Sequence, residues 1–382
     1  MLYFTFNDYP SGIYYSQVID VIKYLNQLRE NKLPIKLVAF ISIRNFWQNR
    51  KKIKEKYSHS IVIPMFPGVQ NWHWNKFFVF FIALFYPHSA VLCRGIFAFH
   101  LAYPFKKLGL FKKIIFDARG AYKAEFEEYK VINHPKIINS ISRLEKEAIY
   151  YSDFKISVSN ALVDYWKKEY LYNQKDFVVI PCTLSNAFLR SFPSEIEIQE
   201  KRKRLGFNEK DIIIVFSGSI AGWQSLHFID KYFKNILENN ALTKLLFLGN
   251  INIQDFSITK KYPNRMYQTN VNPDEVFDYL CIADYGWLVR EQSITNRVAS
   301  PVKFAEYLIS GLKILISENL GDYTAFCYEN QCGVIIKDEL SSPTLNKLSY
   351  SEKLVIHQIA LKNFTKENFK KEYQEIIRNA EL

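Results

Sequence analysis

Apolar runs of strand length alternate with helical stretches along the chain, and this alternation restricts the fold more than any other feature. In the first half we predict strands at Leu2–Phe6, Ile35–Ile41, Ser60–Ile63, Ala90–Cys93, Lys113–Phe116, Phe154–Val158 and Phe177–Ile180. Helices are predicted between them at Tyr14–Arg29, Asn75–Phe85, Asn139–Ser152 and Asn160–Tyr170. The pattern is typical of parallel α/β domains, and 382 residues suffice for two of them.

The segment from residue 283 to 317 carries the strongest functional signal. It begins with a buried strand at Tyr285–Val289 and continues through a polar loop that contains Arg290 and Arg297. A helix is predicted to open at Ser300-Pro301, with the proline as its first residue, because proline is favoured there. The N-terminus of a helix offers free backbone N–H groups and the positive end of the helix dipole. We therefore expect a phosphate to bind at this point.

The charged side chains of this segment extend that prediction. Arg290, Arg297 and Lys303 would bring positive charge to one diphosphate. Glu306 lies one turn inside the predicted helix, where a carboxylate can accept hydrogen bonds from a sugar diol. The pattern thus indicates a site for a nucleotide diphosphate sugar. The alternative is an ordinary amphipathic helix between two strands of an α/β domain.

The order Ser300, Pro301, Lys303, Glu306 and Tyr307 resembles the Ser-Pro-x-Lys-x-x-Glu-Tyr sequence of a known subgroup of enzymes. These are the bacterial surface-polysaccharide transferases among the retaining glycosyltransferases of family 4, also called group 1. The resemblance implies the GT-B fold, an α/β architecture in which two Rossmann-like domains face a central cleft. It places an acceptor-binding domain at 1–188, a nucleotide-sugar-binding domain at 189–360, and a last helix at 361–382 that packs back on the first domain.

The activity that this resemblance implies is retaining, metal-independent transfer of a sugar from a nucleotide diphosphate sugar, within the hexosyltransferase class. The expected acceptor is a glycan or a polyprenyl-linked glycan in capsule, O-antigen or teichoic acid assembly. Arg290 and Lys303 are the expected catalytic residues, since they would stabilise charge on the leaving diphosphate. Asp117 and Arg119 follow the strand at Lys113–Phe116 and join them as candidates. A structural ion pair between Asp117 and Arg119 is the alternative.

The resemblance also implies which residues contact the donor. These are Gly12, Gly218, Ser219, Arg297, Ser300, Pro301, Val302 and Glu306. The chain departs from the family at the first of its two glutamates, because Val298 stands eight residues before Glu306. Glu291 lies fifteen residues before Glu306, and whether it replaces the missing glutamate is left open.

Composition adds expectations about metals and location. Asp-x-Asp is absent from the sequence and the seven histidines are scattered, so we expect neither a metal nor another cofactor. Five scattered cysteines and a start without a charged leader are typical of a cytoplasmic protein. The apolar run Phe77–Tyr86 is too short to span a membrane, and a buried helix is favoured over a membrane anchor there.

The net positive charge of the protein comes from the first half of the chain. Residues 1–190 hold 27 Lys and Arg against 14 Asp and Glu, whereas residues 191–382 hold 23 against 24. Basic residues between large apolar ones, as at 105–113, suit the inner face of an anionic membrane or a merely solvated surface. Nucleic acid is not expected as a partner, because no recognition motif accompanies the charge. Two rival functions remain: a non-catalytic GT-B protein that binds a glycan or a partner transferase, and a polyanion-binding α/β protein.

Overall fold

The computed structural model describes residues 1–30, 32–132, 134–218, 222–225, 228–338, 340 and 343–382. The chain divides into two compact units. The first unit contains Met1–Ser185, Val298–Ser300 and Lys366–Leu382. The second unit contains Asn186–Arg297 and Pro301–Thr365.

The first unit is built on a seven-stranded parallel sheet. Its strands are β1 (Leu2–Phe6), β2 (Lys36–Ser42), β3 (Ser60–Met65), β4 (Ser89–Arg94), β5 (Phe111–Ala118), β6 (Phe154–Ser157) and β7 (Phe177–Val179). Their order is β3-β2-β1-β4-β5-β6-β7, and every neighbouring pair is parallel. Each predicted strand of the first half is present. The order reverses between β1 and β4, where sheets of this type bind ligands at the carboxyl ends of the strands.

The second unit contains a six-stranded parallel sheet. Its strands are β8 (Ile212–Ser217), β9 (Thr243–Leu248), β10 (Met266–Thr269), β11 (Tyr285–Leu288), β12 (Lys313–Ser317) and β13 (Gly333–Ile336). They are ordered β10-β9-β8-β11-β12-β13, so the order reverses between β8 and β11. Two parallel sheets with helices between the strands confirm the predicted α/β class.

Helices connect the strands of both units. Those of the first unit are α1 (Gly12–Tyr14), α2 (Asp20–Leu28), α3 (Phe46–Lys56), α4 (Lys76–Phe85), α5 (Ile96–Lys107), α6 (Tyr122–Tyr129), α7 (Pro135–Tyr151) and α8 (Asn160–Tyr170). A π-helical stretch, Tyr15–Ile19, joins α1 to α2. The second set comprises α9 (Glu195–Arg204), α10 (Ile229–Asn239), α11 (Ser257–Lys261), α12 (Val276–Leu280), α13 (Ile294–Val298), α14 (Val302–Ile309), α15 (Tyr323–Glu329) and α16 (Tyr350–Asn363). The last helix of the chain is α17 (Lys370–Glu381).

Short 3₁₀ segments complete the connections. They lie at Val69–Asn75, Asn186–Phe188, Gly222–Gln224, Ile253–Asp255, Pro263–Arg265, Pro273–Glu275 and Lys366–Phe369.

Alternate residues of β1 show why the first sheet is buried on both faces. Leu2, Phe4 and Phe6 belong to one hydrophobic cluster, and Tyr3 between them belongs to another. The second cluster also contains Tyr373, which comes from α17. Burial on both faces is what parallel sheets require, and it explains their continuous apolar runs.

The apolar run at residues 77–86 was predicted to be a buried helix, but it is buried on only one side. It forms α4, but only Val79, Ile82 and Ala83 on one side of it are buried. The side chains on its other side include Phe85, which is 79% exposed. The prediction of a buried helix was wrong for that side, because hydropathy without a periodic pattern does not reveal which faces find a partner. Within the described ranges, no helix is long and apolar enough to cross a bilayer.

Candidate functional site

Two glycines shape the carboxyl edge of the second sheet at β8 and β9. Gly218 has φ +150° and Gly249 has φ +128°, backbone conformations that residues other than glycine rarely adopt. A Cβ atom on Gly249 would lie 2.6 Å from the carbonyl oxygen of Gly218, and one on Gly218 would overlap the side chain of Lys303. Glycine is therefore needed where the loop after β8 approaches Lys303.

Lys303 lies at the beginning of α14 and is held in place by two neighbours. Its Nζ donates a hydrogen bond to Oε1 of Gln224 at 2.7 Å and lies 4.3 Å from the ring centroid of Phe216. Burial and the charge of Arg290 lower the pKa of Lys303 well below its ordinary value of 10.5, against an opposing effect of Glu306. The ammonium group therefore gains from an added negative charge, such as that of a phosphate.

Glu306 stands one turn further along α14. Burial raises the pKa of its carboxyl group from 4.5 to about 7, although Lys303 favours the ionised form. Ionised, the group accepts hydrogen bonds only, which suits a pair of sugar hydroxyls.

Arg290 follows β11 and is almost completely buried, with 7% exposure. Its Nη1 donates to Oδ1 of Asn296 at 3.3 Å, and its backbone N–H donates to Oγ of Ser317 at 3.2 Å. Asn296 belongs to α13, a short helix inside the segment that the sequence predicted to be a polar loop. Asn296 has no role predicted from the sequence, because a polar residue without a motif carries no signal of its own.

Aromatic side chains fix α14 against the sheet. The hydroxyl of Tyr307 accepts a hydrogen bond from the backbone N–H of Ser217 at 3.0 Å, at the end of β8. The ring of Tyr307 fills the space that a Cβ atom on Gly286 would need. On another side of α14, Phe304 packs against Tyr323, with ring centroids 4.3 Å apart. These contacts set the direction in which Lys303 and Glu306 project.

The start of α14 differs from the prediction. Pro301 has φ −72° and ψ 122°, so it precedes the helix instead of forming its first residue, and α14 begins at Val302. The hydroxyl oxygen of Ser300 accepts a hydrogen bond from the backbone N–H of Cys182 at 2.7 Å, and both residues belong to the first unit. The hydroxyl group of Ser300 is therefore hydrogen-bonded within the protein, a contact that the sequence motif does not reveal.

Arg297, Ser219 and Gly12 were also predicted to contact the donor. Arg297 is exposed on α13, and Ser219 lies outside the described residues. Gly12 is exposed at the start of α1, where Oγ of Ser11 accepts from the backbone N–H of Tyr14 at 3.3 Å. A Cβ atom on Gly12 would meet nothing within 4 Å, so the backbone alone does not require glycine there.

Asp117 and Arg119 form separate ion pairs in the first unit. Asp117, at the carboxyl end of β5, accepts hydrogen bonds from the hydroxyl of Tyr3 at 2.9 Å and from Nη1 of Arg94 at 2.8 Å. Arg119 pairs with Asp8 instead, at 3.2 Å. The alternative of an ion pair between Asp117 and Arg119 was wrong, because each has a nearer partner on a neighbouring strand end.

A buried carboxyl group supports this region of the first unit. Glu145 on α7 accepts hydrogen bonds from the backbone N–H groups of Tyr122 and Lys123 at 2.9 and 2.8 Å. These groups lie in the first turn of α6, so Glu145 caps that helix from outside. Burial raises the pKa of Glu145 to about 7. Glu145 has no role predicted from the sequence, since its partners are distant in the chain.

The position of the missing glutamate is apolar in structure as well as in sequence. Val298 is 2% exposed within the hydrophobic core of the first unit, and its carbonyl oxygen accepts from Oγ of Ser159 at 2.7 Å. Glu291 directly follows Arg290, and its backbone N–H donates to Oγ of Ser225 at 3.0 Å. Among the described residues, no group of three or more His, Cys, Asp or Glu side chains could hold a metal ion.

The protein is similar to known proteins in its structure. Neither a protein-family profile nor a curated protein sequence matches the chain. HepE of Anabaena, whose structure contains UDP and glucose, is similar with a TM-score of 0.68 and 11% identity over 99% of this chain and 98% of that chain. WaaG, a glycosyltransferase involved in lipopolysaccharide biosynthesis, has a TM-score of 0.62 at 12% identity, with coverage of 100% and 95%.

A glycosyltransferase from Rickettsia africae is also similar, with a TM-score of 0.67, 15% identity and coverage of 99% and 98%. Such identities establish the fold alone. The chain has the predicted GT-B fold, whose two sheets reverse their strand order where Gly12 and Gly218 follow the first strand of each.

Proposed function

We propose that this protein is a retaining, metal-independent glycosyltransferase that uses a nucleotide diphosphate sugar as its donor. One observation carries the proposal: Arg290, Lys303 and Glu306 lie together where the strand order of the second sheet reverses. They are close enough that the charges of Arg290 and Glu306 both change the pKa of Lys303. The similarity to HepE, which binds UDP and glucose, and to WaaG supports it.

The donor is held mainly by charge and by backbone donors. Arg290 and Lys303 bind the diphosphate, together with the backbone N–H groups of Val302 and Lys303 at the first two positions of α14. The next N–H group, that of Phe304, already donates to the carbonyl oxygen of Pro301 at 3.0 Å. Glu306 accepts hydrogen bonds from the ribose hydroxyls. Further donor contacts are proposed for Gly12, Gly218, Ser219, Arg297, Ser300, Pro301 and Val302.

The transfer step follows from this arrangement. The bond between the anomeric carbon and the diphosphate oxygen breaks, and the acceptor oxygen bonds to that carbon on the same face. The leaving oxygen takes the acceptor proton, so the protein stabilises the growing negative charge with Arg290 and Lys303. Asp117 and Arg119 are proposed to act on the acceptor side, positioned by Arg94 and Asp8 respectively.

The proposed acceptor is a glycan or a polyprenyl-linked glycan in the assembly of a bacterial capsule, O-antigen or teichoic acid. The transfer would take place in the cytoplasm at the inner face of the cell membrane. The charge of the first half of the chain supports contact with that face, because residues 1–190 carry an excess of 13 positive charges, 27 minus 14.

A second candidate function is a non-catalytic GT-B protein that binds a glycan or a partner transferase. The burial of Val298 in the core favours it, since no carboxylate stands where the family has its first glutamate. Turnover of a nucleotide sugar separates the two functions. Hydrolysis or transfer supports the enzyme, whereas nucleotide binding without turnover supports the non-catalytic protein.

A thermal-shift screen tests the donor site. UDP, GDP, CMP, dTDP, ADP and their sugar conjugates are compared in the presence of EDTA. A ligand that binds the folded state raises Tm. We expect a rise with one nucleotide, its loss in Glu306→Ala and its reduction in Lys303→Ala, with the exposed Glu329→Ala as the matched control. No rise with any nucleotide would contradict the proposal.

A further inference from the structure

One side of α4 is an apolar surface without a covering element among the described residues. It is formed by Phe77, Phe80, Phe81, Leu84 and Phe85, which are 40 to 79% exposed. Their spacing is that of a single helical face, and the opposite side of α4 is already buried against the first unit. Isolated exposed apolar residues are ordinary, but a contiguous aromatic face marks an interaction site. We call these five residues the α4 face.

The aromatic residues of the α4 face contact each other and α5. The ring centroids of Phe77 and Phe81 are 5.0 Å apart, and those of Phe80 and Phe81 are 5.6 Å apart. Phe80 also contacts Phe105 near the end of α5, at 6.2 Å between centroids. Leu108, just beyond α5, is 69% exposed and continues the apolar surface.

Only basic charges lie near the α4 face in sequence. No Asp or Glu occurs between Glu55 and Asp117, and the basic residues of that interval are Lys56, Lys76, Arg94, Lys106, Lys107, Lys112 and Lys113. Lys76 begins α4 and lies 5.6 Å from the ring centroid of Trp72. Lys106 pairs with Asp153 of the loop before β6 at 2.7 Å, whereas Lys107 lies 5.0 Å from the ring centroid of Tyr103.

We propose that the α4 face is a docking surface for an anionic lipid bilayer. A helix with Phe, Trp and Leu on one face and Lys at its border lies in the interface between headgroups and acyl chains. Anionic lipids attract such lysines, and the chain from residue 56 to residue 116 contains no carboxylate side chain that would oppose this attraction. The uniform sign of the flanking charge favours this partner over a protein surface, where charges of both signs are usual.

Topology links this surface to the acceptor side. The strands of the first sheet are all parallel, and α4 runs from the carboxyl end of β3 back to the start of β4. Lys76 therefore lies toward the edge at which Asp117 ends β5. The inference deepens the proposed function and rests on it for the lipid-linked acceptor, but the surface itself can be tested without any donor or acceptor.

Vesicle sedimentation tests the proposal with the full chain. Vesicles of phosphatidylcholine with 30% phosphatidylglycerol are compared with phosphatidylcholine alone, using the native protein and the triple variant Phe77→Ser, Phe81→Ser, Phe85→Ser. We expect binding to the anionic vesicles, weakening at 0.5 M NaCl, and a partition coefficient at least about tenfold lower for the triple variant. Tyr328→Ser is the matched control, because Tyr328 is also 79% exposed, and it should bind as the native protein does.

Each contrary outcome overturns the proposal. These outcomes are no binding of the native protein, equal binding of the triple variant, or equal loss in Tyr328→Ser. A native dimer that the triple variant converts to a monomer, without vesicle binding, would show that a second copy covers the α4 face. The nucleotide-dependent rise in Tm is measured on the same samples. Its retention shows that the variant is folded, and its absence in the native protein would refute the donor site independently.

Discussion

Replacement of Glu306 by Gln separates the effect of this buried carboxyl group on stability from its effect on nucleotide binding. The substitution keeps the shape of the side chain and removes its ability to ionise. In the native protein, burial raises the pKa of this carboxyl group from 4.5 to about 7. Below pH 4.5 the group is protonated in both folded and unfolded chains, so Gln and Glu should be nearly equivalent for stability.

The difference grows as pH rises. The unfolded chain loses the Glu306 proton near pH 4.5, but the folded chain keeps it until about pH 7. A raised pKa in the folded state therefore favours folding at low pH and loses that advantage as pH increases to 7. At 1.36 kcal/mol for each pH unit between the two values, Glu306→Gln should be more stable than the native protein by at most about 3 kcal/mol at pH 8.

Hydrogen exchange of peptides that span β11 and β12 measures this difference, because it reports the opening of the second unit by itself. Native protein and Glu306→Gln are compared from pH 4.5 to pH 8, with exchange times corrected for the intrinsic rate. Glu329→Gln, exposed at the end of α15, is the control and should follow the native curve. Nucleotide affinity is measured by calorimetry on the same variants, and it should fall in Glu306→Gln while stability rises.

Two results would refute this reasoning. A stability difference that stays constant or reverses sign between pH 4.5 and pH 8 would mean that the Glu306 carboxyl group is not desolvated. Unchanged nucleotide affinity in Glu306→Gln would mean that its charge does not serve the donor. A gain in stability together with a loss of binding is the exchange expected of a group retained for function.

Three further predictions concern the neighbours of Glu306. Gly218→Ala places a Cβ atom against Lys303 at φ +150°, so it should lower stability by about 1–3 kcal/mol and weaken nucleotide binding, as denaturation and calorimetry will show. Above about pH 8, where Glu306 is already ionised, nucleotide affinity should fall as pH rises, because the diphosphate needs the ammonium form of Lys303, whose pKa is lowered. Titration of Lys303→Met over the same range should show no such fall. Tyr307→Phe removes the acceptor of the Ser217 N–H and should lower the unfolding free energy in urea by about 1 kcal/mol, whereas an unchanged midpoint would contradict that role.

The strands of the first unit were predictable because parallel sheets buried on both faces need continuous apolar runs. Helices α3 and α5 were not. The basic sequence of α3 buries only Ile53, so its hydrophobic signal is too weak to detect. Helix α5 contains Pro104, which normally argues against a helix, and its packing against the sheet outweighs that preference.

Some residues of the candidate site could likewise be predicted from the sequence, and others could not. Lys303, Glu306 and Arg290 could be chosen as candidates from the sequence, because a charged pattern around a helix start has a chemical meaning by itself. Gln224 and Cys182, the partners of Lys303 and Ser300, were not, because these contacts join residues distant in the chain. Asn296 lies only six residues from Arg290, but a polar residue without a motif carries no signal of its own. The exposed side of α4 was missed for a related reason, since uniform hydrophobicity does not show which face the fold leaves uncovered.

Sugar release under metal-free conditions tests the central claim most directly. The nucleotide sugar that raises Tm is incubated with the protein in EDTA, and the first-formed anomer of the released or transferred sugar is identified by proton NMR. We predict a product with the donor's anomeric configuration, formed by the native protein and at least about a hundredfold more slowly by Lys303→Met. An inverted product, a requirement for added metal, or turnover unaffected in Lys303→Met would contradict it.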